Sequence, residues 1–119
     1  MAGALIVAFP AWTATAALDE AVMENMEIVN ESLGSNLGLR DAAAATADAR
    51  DLASLLDEAR AYFVERGDAE EGVRLATESK AITGRIIDAL EAGRFEPASE
   101  LAAELSRQCK VCHRQYKPE

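Results

Sequence analysis

Aromatic residues make up only 5% of this 119-residue chain, with one tryptophan, one histidine and two cysteines. Half the residues are hydrophobic and alanine is abundant, a mix that favours packed helices over sheets. No alternating strand pattern, internal repeat or low-complexity stretch competes with that reading. Basic residues are outnumbered 12 to 21, for a net charge of −9, which argues against nucleic-acid binding. There is no glycine-rich phosphate loop, no carboxylate pair in an apolar setting, and no serine or cysteine nucleophile beside a base. The chain is therefore not expected to be an enzyme by its side chains alone. Residues 1–18 contain no charge at all. An apolar run at 5–9 and the small-x-small pattern Ala14-Thr15-Ala16 read as a secretory signal peptide over 1–16, with the mature domain at 17–119. If retained, the segment would act as a membrane anchor.

Both cysteines and the histidine stand together, as Cys109-Lys110-Val111-Cys112-His113. Cys-x-x-Cys-His is the attachment pattern of a c-type haem. Its spacing has a physical reason. On a helix, i, i+3 and i+4 share one face, so two thiols can meet the two vinyl groups of one porphyrin while the imidazole reaches the iron. The competing readings are a disulfide or thiol redox pair, which lacks a βαβ context, and zinc, which lacks further ligands. Covalent haem agrees with export to a bacterial periplasm.

Four helical patterns follow the signal. The first spans residues 18–33, with a stripe of Leu18, Val22, Met26, Val29 and Leu33 broken by Gly34-Ser35-Asn36 and Gly38. The second spans 41–65, with Asp41 as cap, Gly67 beyond its end, and a stripe of Ala45, Ala49, Leu52, Leu56, Ala59 and Phe63. The third spans 69–92, opened by an Asp68/Glu71 capping box and closed by Gly93; Leu75, Ser79, Ile82, Ile86 and Leu90 form its inner face. The fourth starts at Pro97 and carries Ala98, Leu101, Leu105, Cys109, Cys112 and Tyr116 on one stripe. The expected fold is all-α: an antiparallel up-down-up-down four-helix bundle with haem c near the end of the last helix.

In such a bundle the end of helix four lies level with the start of helix one. His113 falls roughly 6 Å from its helical end and Met23 roughly 8 Å from the start of its helix, so the two levels match. A thioether is a suitable sixth iron ligand. The competing reading makes both methionines core filler. Mid-stripe Met26 suits that role better than Met23 on the stripe's flank. Four of the twelve basic residues (Arg107, Lys110, Arg114, Lys117) lie in residues 107–119 with one acid. They read as complements to the helix dipole, as partners for haem propionates, or as a docking patch for an acidic redox partner.

A four-helix pattern with Cys109, Cys112 and His113 on the last helix, followed by Tyr116 and Lys117, resembles the class II c-type cytochromes. These are cytochrome c-prime and its low-spin, six-coordinate relatives. The resemblance covers the mature chain. It implies an electron carrier when a helix-one methionine binds iron, and a five-coordinate protein open to nitric oxide or carbon monoxide when an apolar residue stands there. Aligning Asp19-Glu20-Ala21-Val22-Met23 with the family's helix-one segment puts Met23 at that position. It also implies that a homodimer is common. Two departures are visible: Asp19 stands where the family often has arginine, and the link between helices two and three is brief.

Overall fold

The computed structural model describes the backbone of residues 11–116 and the side chains of residues 20–116. It contains four α-helices: α1 Ala11–Gly38, α2 Ala42–Arg66, α3 Glu70–Glu91 and α4 Phe95–Tyr116. No strand occurs among the described residues. Each helix packs against two neighbours, in the pairs α1·α2, α2·α3, α3·α4 and α1·α4, while the backbones of the diagonal pairs stay apart. Three-residue connections force successive helices to run antiparallel. The result is a square four-helix bundle with its core along the central axis.

Helices α2 and α3 follow their apolar periodicity closely. All six residues of the α2 stripe and all five of the α3 inner face are buried. Asp41 caps α2, its carboxylate accepting from the Ala44 N–H at 3.1 Å. Gly67 ends that helix with φ of 81°, a left-handed conformation that suits glycine, and its N–H donates to the Phe63 carbonyl.

Several boundaries differ from the sequence reading: α1 starts at Ala11 rather than at residue 18, and α4 at Phe95, two residues before Pro97. α1 does not break at Gly34-Ser35-Asn36 but runs on to Gly38. A glycine in a helix costs about 1 kcal/mol. Here Leu33 and Leu37 on either side of Gly34 are both buried. The Asn36 amide also donates to the Asp48 carboxylate on α2 at 2.7 Å, and the Ser32 hydroxyl to the same oxygen at 2.8 Å. These contacts offset the cost. The Asp68/Glu71 capping box is also not formed. Ala69 is the N-cap of α3 and makes no side-chain cap. Asp68 instead pairs with Arg66 at 2.8 Å.

Of the expected α1 stripe, Val22, Met26 and Leu33 are buried and Val29 is half-buried. Leu18 lies outside the described side chains. Met23, placed on the stripe's flank by periodicity, is 1% exposed. α1 is gripped from both sides by α2 and α4, so its buried arc is wider than one narrow stripe. Residues 1–10 of the expected signal segment lie outside the described residues, and the expected cleavage point after Ala16 falls early in α1. Among the described residues, no helix is long and apolar enough to cross a membrane.

Candidate functional site

The last turns of α4 meet the end of α2 and the start of α3 at one end of the bundle. Tyr116 ties them together. Its hydroxyl accepts from the Gly72 N–H at 3.0 Å, and its ring lies 4.6 Å from the Phe63 ring, centroid to centroid. Gly72 stands in the first turn of α3, where backbone N–H groups have no partner within the helix. A tyrosine from 44 residues away therefore does what the missing capping box would have done. Gly72 also has a steric role. A Cβ there would sit 2.7–2.9 Å from the Phe63 ring, closer than such atoms pack, so only glycine lets that ring lie against α3.

Beside this anchor lies a small recess between all four helices. Cys109, Cys112, His113 and Gln108 line it from α4, Met26 from α1, Leu56, Ala59 and Phe63 from α2, and Leu75, Ala76 and Ser79 from α3. It has room for about 20 Å³ of water-sized space. The Cys-x-x-Cys-His side chains thus share one apolar recess, as their helical spacing requires. Among the described residues, no three His, Cys, Asp or Glu side chains cluster so as to hold a metal ion. Met26, rather than Met23, lines the recess; Met23 is packed into the neighbouring core.

The electrostatics disfavour thiol chemistry. Burial, with the Glu27 carboxylate adding to it, pushes the Cys109 thiol from 9.0 up to about 11. Redox-active cysteines depend on the opposite shift, because the thiolate is the nucleophile. The sign follows directly. The folded chain holds this proton more tightly than the unfolded chain. The stabilisation this brings is fully present below pH 9.0 and is lost as pH rises through about 11. In haem-free protein, alkylation of Cys109 is expected to be slower at pH 8–9 than in a denatured control by about two orders of magnitude. Site-resolved mass spectrometry of iodoacetamide-treated protein checks this; equal rates in both states would contradict it.

Two contacts the sequence did not reveal cross the α1–α4 seam. His113 Nδ1 lies 3.1 Å from Glu27 Oε1. The Asn30 amide donates to the Ser106 hydroxyl at 3.1 Å. Both follow the antiparallel register of the seam. That register puts Met23 and Met26 both within about one helical turn of the His113 level. The sequence signal for Glu27 is slight: it is one turn beyond Met23 and directly follows buried Met26.

No protein-family model, curated protein or solved structure matches this chain. The donor set itself provides the test of fit to haem c. Two cysteines and one histidine, in attachment spacing, line a recess whose other walls are almost wholly hydrocarbon. The residues fit.

Proposed function

We propose that this chain is an exported monohaem c-type cytochrome that carries electrons. The observation behind this reading is that Cys109, Cys112 and His113 line a single apolar recess inside the bundle. Cys109 and Cys112 would hold the haem by thioether bonds, His113 would be one axial ligand and Met23 the sixth. Bound haem c supplies a one-electron ferric/ferrous couple. The chain's own contribution is fixation, exclusion of water and tuning of the potential. Leu56, Ala59, Phe63 and Leu75 would form the dry wall. The present recess is narrower than a porphyrin, so these side chains would stand further apart in the haem-bearing protein.

Arg107, Lys110 and Arg114 are exposed and fall on one face of α4, beside the motif. In a chain of net charge −9 they form a local reversal of sign. This face suits docking of an acidic redox partner protein near the haem edge. Attachment of haem c places the protein in the bacterial periplasm.

One observation favours a second reading. Met23 is as deeply packed as core filler would be, and a different methionine lines the recess. If neither binds iron, the sixth position is open and the protein binds gases such as nitric oxide. Carbon monoxide decides between the two. Reduced protein whose spectrum is unchanged under carbon monoxide supports the electron carrier; rapid binding would move the function to gas binding.

A further inference from the structure

Across the α1–α4 seam the Glu27 carboxylate reaches the motif at His113. His113 has a side chain only 18% exposed, and that of Glu27 is 38% exposed. Their atoms are Nδ1 and Oε1, 3.1 Å apart, which is hydrogen-bond distance. A neutral imidazole carries its proton on one nitrogen and a lone pair on the other, and the partner of the first nitrogen fixes which is which. A carboxylate only accepts, so its contact with Nδ1 puts the proton there and assigns the lone pair to Nε2. Nε2 is then the atom that would bind iron. A carboxylate on the far nitrogen also makes a metal-bound imidazole more electron-rich. A more electron-rich ligand favours the ferric state and lowers the reduction potential.

We infer that Glu27 is a positioning residue for His113: across the α1–α4 seam it sets the imidazole's tautomer and orientation and holds the haem potential down. This rests on the proposal that the chain carries haem c. It gives α1 a role at the proximal side of the site that is separate from any role of Met23.

The test uses the haem-bearing protein and three variants. Glu27→Gln keeps an acceptor oxygen but removes the charge, and Glu27→Leu removes both. Glu31→Gln removes the same charge at an exposed position one turn further along α1, so it reports the effect of net charge alone. Potentiometric titration is expected to show the ferric-to-ferrous ratio at fixed poise falling about tenfold in Glu27→Leu, equivalent to about 59 mV for one electron. Glu27→Gln is expected to shift it the same way by less, and Glu31→Gln hardly at all. The ferric electron paramagnetic resonance spectrum should change in Glu27→Leu, as the ring loses its fixed orientation. Unmoved potentials in both Glu27 variants, or an equal shift in Glu31→Gln, would overturn the assignment of Glu27 while leaving the cytochrome reading intact. Wild-type protein that matures without haem would overturn both.

Discussion

Met23→Ala is expected to convert a low-spin haem spectrum into a high-spin one and to open the iron to carbon monoxide. Under the proposed ligation, the thioether of Met23 is the only iron ligand the variant would remove. The side chain is also 1% exposed, so truncation leaves a cavity worth about 2–5 kcal/mol of stability. Met23→Leu separates the two effects. It conserves volume, costs less than about 1.5 kcal/mol, and lacks the sulfur. Both variants should turn high-spin, while Met26→Ala stays low-spin. A low-spin Met23→Leu together with a high-spin Met26→Leu would give the sixth position to the methionine that lines the recess. Low-spin spectra in every single variant would remove Met23 from the site.

Phe63→Ala is expected to be the most damaging single truncation for the fold. The ring is among the largest fully buried side chains, packs 4.6 Å from Tyr116 and 5.3 Å from Tyr62, and fills the space left by Gly72. Phenylalanine-to-alanine changes in a core cost about 3–5 kcal/mol. Small domains have only about 5–15 kcal/mol in total. Each kcal/mol corresponds to roughly 4–8 °C in a domain of this size, so Tm should fall by tens of degrees in thermal unfolding followed by circular dichroism. Coupling with Gly72 makes the prediction sharper. Gly72→Ala alone forces a Cβ into the ring and should destabilise by about 1–3 kcal/mol, but in the Phe63→Ala background that clash is gone. Additive losses, or a fall of less than about 1 kcal/mol for Phe63→Ala, would contradict the anchoring role of the ring.

Much of this bundle was legible because its helices are amphipathic in the simplest way. The stripe from Ala45 to Phe63 repeats by four and three, and all of it is buried. The inner face from Leu75 to Leu90 behaves likewise. Local rules failed where a remote residue took over a local task. Asp68 with Glu71 has the pattern of a capping box, yet Tyr116 supplies the cap through the Gly72 N–H, and no window of sequence contains that contact. Gly34 looks like a helix stop, but cross-helix bonds from Ser32 and Asn36 to Asp48 carry α1 past it. At the site, the sharing of one face by Cys109, Cys112 and His113 follows from helical spacing. The arrival of Glu27 at His113 depends on the register of α1 against α4, which is set by tertiary packing.

Retention of colour on unfolding tests the central claim most directly. The chain is matured in a periplasm competent for cytochrome c assembly and purified. It is then fully denatured and separated from small molecules while haem absorption is followed. The account predicts that the haem band stays with the polypeptide, because thioether bonds to Cys109 and Cys112 survive unfolding, and that a Cys109→Ser, Cys112→Ser double variant releases it. Protein without a haem band, or colour that leaves the wild-type chain on denaturation, would contradict the account.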